Sequence, residues 1–168
     1  DFVRPQLASF QDDYPDLALT FLADRSRAQL RQDIKGGKVD VAVVTAAPGE
    51  QTPVTLVLGQ VPCGIYCRQD LAADLMADGI ANAPFLLPPR DASADLGTYD
   101  GLRRLGIVPR RVVATSQYHD VLVRMACKGR GAVFSIQSLV ERHDAEKVLR
   151  CVMNGEPYER RLYIDPRV

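Results

Sequence analysis

The segment "MACKGRGAVFSIQ", Met125 to Gln137, sets a glycine on each side of Arg130, the composition of a loop that cradles phosphate. Such a loop needs a strand, then the glycines, then a helix, because the anion sits on unpaired N–H groups at a helix N-terminus. Here the order is reversed. Val121, Leu122, Met125 and Ala126 fall at helical spacing before the glycines, and Ala132, Val133 and Phe134 read as a strand after them. The spacing therefore predicts that Gly129 ends a helix in the left-handed conformation, with Lys128 beside the last carbonyls.

Other reactive side chains are few. The only histidines are His119 and His143, so no serine with a matched histidine and no metal cluster can be assembled. His119 and Asp120 are neighbours on a helix, diverging by about 100°, and do not form a dyad. The four cysteines fit no disulfide scaffold or zinc pattern. Cys63 and Cys67 sit in one strand, four steps of about 3.3 Å apart, too far for a bond without a bend. Cys127 falls at a helix end and Cys151 in another strand, and buried structural thiols are the expectation for all four. No cofactor and no metal is expected.

With 168 residues and 46% apolar content the chain can bury a sizeable core. Its 21 basic and 21 acidic residues balance, so no overall field draws it to nucleic acid, membrane or an acidic partner. No apolar run approaches the roughly 20 residues of a membrane span, and "DFVRPQLASF" lacks a signal-peptide layout, so the expected location is cytoplasmic.

The elements that must position any site alternate. Val3, Leu7, Phe10 and Tyr14 mark a helix stopped by Pro15, and a strand is expected through Leu17, Leu19 and Phe21. Ser26 can cap a second helix holding Leu30 and Ile34, ended by Gly36-Gly37. "VDVAVVT", Val39 to Thr45, reads as a strand buried on both faces. Strands follow at 54–61 and 64–67, separated by Pro62, then a helix through Leu71, Leu75 and Met76 and a strand at Phe85 to Leu87. A helix through Leu96, Tyr99, Leu102 and Leu105 closes at Gly106, a strand runs from Arg111 to Ala114, and Ser116 is the expected N-cap of the helix that reaches Gly129. A helix near 138–142, a strand at 148–153, a turn at Asn154-Gly155 and a last strand at 161–164 complete the order. Such alternation predicts α/β architecture in two lobes, each with a central, mostly parallel sheet. Lobe I is expected at residues 1–62 and 155–168 and lobe II at 63–154, with ligands at strand carboxyl ends between them.

On "LASFQDDYPDLALTF", "IKGGKVDVAVVT", "APFLLPP", "GLRRLGIVPRRV" and "MACKGRGAVFSI", in that order, the chain resembles the effector-binding domain of LysR-type transcriptional regulators. That resemblance implies the type 2 periplasmic-binding-protein fold, a small-molecule effector and no enzymatic activity. It also implies side-by-side pairing as a homodimer within a tetramer, and DNA contact only through an N-terminal winged helix absent from this sequence. Ile136 stands where the family usually has proline. A strand before the first helix and a helix after the last strand are expected by the resemblance and missing here, so a fragment of a longer polypeptide is expected.

Within that frame the candidate effector-binding residues are Thr45, Ala46, Arg90, Ser116, Gln117, Tyr118, Gly131 and Phe134. Thr45, with Ala46 beside it, ends a strand, where its hydroxyl either bonds a carboxylate or carbonyl or satisfies a turn. Ser116, Gln117 and Tyr118 open a helix, either presenting N–H groups to an anion or simply capping. Arg90 either holds a carboxylate bidentately or is solvated. Gly131 and Phe134 face the cleft by the resemblance alone, and composition alone makes Phe134 core. Arg103-Arg104 and Arg110-Arg111 read as a solvated face. Two other readings use the same scaffold: a free-standing solute-binding protein, which needs a secretion signal upstream, and a dehydratase-type enzyme, which needs a titratable pair facing the cleft.

Overall fold

The computed structural model describes residues 4–20, 22, 27–49, 55–90 and 97–164. Helix α1 (Arg4–Asp13) ends just before Tyr14-Pro15, where proline removes a donor. The expected strand at Leu17 is not formed over residues 17–20, and Phe21 lies outside the described residues. Instead the Leu17 N–H donates to the Tyr14 carbonyl at 3.1 Å and the Gln11 amide donates to the Leu17 carbonyl at 3.0 Å. Turn bonds satisfy this backbone because no described strand lies beside it to supply a ladder. Helix α2 (Arg27–Lys35) follows, with the Gly37 N–H on Ile34 and the Lys38 N–H on Asp33 closing its C-terminus; Ser26, its expected cap, is outside the described residues.

Strands β1 (Val41–Ala46), β2 (Thr55–Val61) and β3 (Cys63–Arg68) come next, then a 3₁₀ turn and helix α3 (Ala72–Ala77). Strand β4 (Pro84–Leu87), helix α4 (Thr98–Arg104), strand β5 (Arg111–Thr115) and helix α5 (His119–Cys127) follow. Strand β6 (Ala132–Ile136), helix α6 (Gln137–His143) and strands β7 (Leu149–Asn154) and β8 (Tyr158–Ile164) end the order. Eight of the nine expected strands and all six expected helices are present within a few residues of their anticipated bounds, β8 beginning three residues earlier than expected.

The strands form two sheets, β1-β8-β2 and β5-β4-β6-β3-β7. The mostly parallel arrangement expected for each is corrected here. Both ladders of the three-stranded sheet are antiparallel, and in the five-stranded sheet only β4 pairs parallel, with β5 and β6. The cause is two short connections. Pro62 alone joins β2 to β3, and residues 155–157 join β7 to β8, so each passes from one sheet into the other without room for a helical crossover. The two through-going strands run antiparallel to each other in both sheets and are tied midway by the Gly155 N–H donating to the Cys63 carbonyl at 2.9 Å.

Side chains of the five-stranded sheet alternate between two cores. Cys63, Ile65, Cys67, Phe85, Leu87, Ala132 and Phe134 face one side, under Leu102 of α4 and Ala72 of α3. Tyr66, Leu86 and Val133 face the other, under Leu122, Val123 and Ala126 of α5 and Val140 of α6. With both faces covered, the inner strands carry near-continuous apolar runs rather than alternation, as the sequence of β3, β4 and β6 shows.

The glycine question resolves as anticipated. Gly129 has φ 70°, its N–H donates to Ala126, and the Arg130 N–H donates to Met125, the paired bonds of a helix C-terminus closed by a left-handed residue. Gly131 has a different task. A Cβ there would lie 2.2 Å from the Pro84 carbonyl oxygen, so the glycine is what lets β6 approach β4.

Candidate functional site

Because β5 and β6 both run parallel to β4, their carboxyl ends share one edge of the sheet. Thr115-Ser116, Leu87-Pro88 and Ile136-Gln137 lie along it in strand order, and Cys63-Pro62 continues it through the Cys63–Ile136 pairing. The Ser116 N–H donates to the Leu87 carbonyl at 3.2 Å, and the Gln137 N–H donates to the Pro62 carbonyl at 2.8 Å. Strand carboxyl ends are where open α/β sheets take their ligands.

Of the expected site residues, Arg90 and Ser116 to Tyr118 follow this edge directly. Arg90 is exposed, its guanidinium 4.8 Å above the Tyr99 ring, while the Tyr99 hydroxyl donates to the Pro88 carbonyl at 2.7 Å and fixes the ring. Ser116 is not the N-cap of α5. The helix begins two residues later than expected, with Tyr118 at the cap, and the Ser116 hydroxyl instead accepts the Tyr118 N–H at 3.0 Å, a local turn that delays the helix. Gln117 and Tyr118 are exposed.

Gly131 lies elsewhere, at the amino end of β6 against Pro84, a strand's length from Ser116. Phe134 is 3% exposed, its ring packed where Cβ atoms on Gly101 and Gly155 would stand, so it serves the core. Thr45 and Ala46 close β1, opposite Arg160 and Glu159 of β8; Ala46 is buried and Thr45 half-buried.

The Thr45–Arg160 pairing leads to residues the sequence reading passed over. A cavity of about 330 Å³ opens at the junction of the sheets, lined by Leu58, Gly59, Gln60, Val61, Pro62 and Arg160 from the through-going strands and Ser138 from α6. Its size is that of a small-molecule site. Arg160 sits opposite Thr45 on one side and Gly59 on the other, so all three share a sheet face. Gly59 follows a register shift in β2, and a Cβ built on it meets nothing within 4 Å, which leaves open space beside the guanidinium. Burial holds the Arg160 guanidinium below its ordinary pKa. The adjacent Arg161 points to the opposite face, where its Nε donates to Glu159 Oε2 at 2.7 Å. Two consecutive arginines in a strand must face opposite sides, and Glu159 two residues back can serve only one of them. That signal was present in the sequence, but the strand was expected to begin only at Arg161.

Arg104 also departs from the solvated face expected of it. Its Nε donates to Asp100 at 2.8 Å, Nη1 to Glu156 at 3.2 Å and Nη2 to the Pro48 carbonyl at 3.0 Å, linking α4 to the loop after β1 and to the connection before β8. The thiols form no disulfide, and burial raises the pKa of each above the usual thiol range, Cys63 to about 11. At neutral pH they are protonated, the unreactive form. Among the described residues no helix is long and apolar enough to cross a membrane.

Two sheets crossed twice by the chain, with a ligand-sized cavity lined by β2, β8 and α6 where the chain passes between them, are the architecture of the type 2 periplasmic-binding fold. The chain belongs to the LysR substrate binding domain family, whose model matches residues 1–164. It is the effector-sensing domain of a LysR-type regulator. Among solved structures, the OxyR2 regulatory domain C206S mutant from Vibrio vulnificus superposes with a TM-score of 0.76 at 15% identity, covering 99% of this chain and 81% of that one. The effector domain of AmpR of Pseudomonas aeruginosa gives 0.64 at 19% identity, covering 99% and 80%. The CcmR regulatory domain of Synechocystis, in complex with 2-PG, gives 0.71 at 16%, covering 98% and 82%. No curated protein matches this chain by sequence.

Proposed function

We propose that this domain binds a small effector in the cleft between two lobes, residues 1–62 with 155–168 and residues 63–154, and reports occupancy through their relative angle. The cavity walled by β2, β8 and α6 carries this reading, because a guest held from both sides favours one arrangement of the two. Thr45, Ala46, Arg90, Ser116, Gln117 and Tyr118 are the proposed rim of the cleft, while Gly131 and Phe134 support it from the sheet and core. The domain senses without catalysing, in the cytoplasm, and reaches DNA through a separate segment of its regulator.

A thermal-shift screen of small carboxylates and aromatic acids identifies binders. With one in hand, Thr45→Val and Ser116→Ala are each expected to weaken it two- to tenfold, the range of one neutral hydrogen bond of about 0.5–1.5 kcal/mol. Unchanged affinity in both variants would move the site away from this rim.

The domain is proposed to pair with a second copy through edge strand β5 and helix α5. There Val112, Val113, Tyr118 and Val121 are 48%, 41%, 62% and 40% exposed beside unpaired backbone. Sedimentation equilibrium should show a dimer that Val112→Lys with Val113→Lys converts to monomer, and a wild-type monomer at high concentration would refute the pairing.

A further inference from the structure

Bonds between the two proposed lobes gather where the chain crosses from one to the other. The Gly155 N–H donates to the Cys63 carbonyl at 2.9 Å, the Cys63 thiol to the Glu156 carbonyl at 3.2 Å, and the Gln137 N–H to the Pro62 carbonyl at 2.8 Å. These partners sit beside a covalent crossing, so they stay close whatever angle the lobes take. Arg104 is placed differently. From α4 it donates through Nη1 to the Glu156 carboxylate at 3.2 Å and through Nη2 to the Pro48 carbonyl at 3.0 Å. Pro48 follows β1, on a stretch of chain that makes no crossing of its own. That bond exists only while the two lobes hold Pro48 within reach of α4.

Helix α4 is a firm platform for such a contact. Leu102 is buried in the core, and Gly101 lets the helix sit where a Cβ would stand 2.3 Å from the Phe134 ring. Asp100, one turn earlier, accepts Arg104 Nε at 2.8 Å and Arg103 Nη2 as well, so the guanidinium is oriented before it reaches the other lobe. A planar guanidinium offers donors in several fixed directions, and here three of them meet three different acceptors.

We infer that Arg104 is an interlobe latch, a positioning residue that favours the present lobe angle by holding Glu156 and Pro48 of one lobe to α4 of the other. This rests on the reading of the domain as a sensor whose lobes change their relative angle, and it adds the residue that sets their balance. A contact made in one arrangement and lost in another shifts the population between them, and a guest that prefers the other angle works against it. Arg103 is the natural control. It shares Asp100 with Arg104, but its side chain is 79% exposed.

The test measures the distance between spin labels on unnatural side chains at positions 56 and 108, both exposed and one in each lobe, so the native thiols are not used. Wild type and Arg103→Gln are expected to share one narrow distribution. Arg104→Gln should shift the balance toward a second interlobe distance by roughly three- to tenfold, the scale of one partly exposed charge-assisted tie. Arg104→Lys should fall between, since an ammonium keeps the charge without spanning three acceptors. All four proteins should melt within about 2 °C of one another, because exposed side chains contribute little to global stability. Coincident distributions for Arg104→Gln and Arg103→Gln would overturn the inference, as would a lowered melting temperature in Arg104→Gln with no change of distance, the mark of a purely structural arginine. The measurement uses no effector, so its failure leaves sensing to the thermal-shift screen, while a screen without binders leaves the distances as they are.

Discussion

Phe85→Ala should destabilise the domain by about 3–5 kcal/mol, the cost of removing a large aromatic side chain from a site that cannot collapse around the gap. Phe85 is fully buried at the middle of β4, which is hydrogen-bonded on both sides to β5 and β6, beside Phe134 on the face that Leu102 of α4 and Ala72 of α3 cover. With strands fixed on either flank and helices above, little can move inward, so the lost transfer energy and the cavity add. Set against the roughly 5–15 kcal/mol that holds a typical domain folded, this is a large fraction. Urea denaturation reads it directly: the midpoint should fall while the slope stays constant. Phe10, 42% exposed on α1, is the matched control, and its replacement by alanine should cost no more than about 0.5 kcal/mol. Similar losses at the two positions would show that the five-stranded sheet is not the principal core.

The second large effect belongs to a residue with no side chain. Gly131→Val should destabilise by about 3 kcal/mol or more, combining overpacking with backbone strain at φ 158°. The Cβ would stand 2.2 Å from the Pro84 oxygen and 3.1 Å from its carbonyl carbon, and this backbone is pinned by the pairing of Pro84 with Arg111 in β5. Neither strand can yield without breaking the parallel ladder that β4 makes. Gly49→Ala separates strain from crowding, because Gly49 also has a positive φ, 72°, yet its Cβ would meet nothing within 4 Å. That change should cost only about 1–2 kcal/mol, the strain of a left-handed residue. Comparable melting temperatures for the two variants would contradict the close approach of β6 to β4.

These two positions also show what was legible beforehand. Apolar runs bounded by glycine and proline located nearly every element, because period and punctuation are local properties of the chain. The helix ending at Gly129 was readable to the residue, since capping chemistry involves only neighbours. Strand direction was not. Alternation of helices and strands argues for parallel sheets, and nothing local reveals that Pro62 and residues 155–157 carry the chain straight on between sheets. Leu17 to Thr20 has strand composition, but a strand is a property of two segments, and no described segment lies beside this one.

The site divides the same way. Thr45 and Ser116 were expected at strand ends and lie there, with Arg90 three residues beyond β4, whereas Gly131 was placed at the cleft by the family resemblance alone and packs against Pro84 at the opposite end of β6. Arg160 was missed because its place at the cavity depends on β8 standing between β1 and β2, visible only once the sheet is assembled. Phe134 stayed ambiguous for the same reason: an aromatic ring reads alike in a core and in a cavity wall until Gly101 and Gly155 are seen beneath it.

The strand order β1-β8-β2 places a strand made after all those of the larger sheet at the centre of the smaller one. As the chain emerges during synthesis, residues 63–154 already contain every strand of the larger sheet, whereas β1 and β2 have no common neighbour until Tyr158 to Ile164 arrive. The half of the cavity that holds Arg160 is therefore completed only after the larger sheet, and a chain interrupted before Tyr158 yields a finished outer body carrying an unassembled receptor.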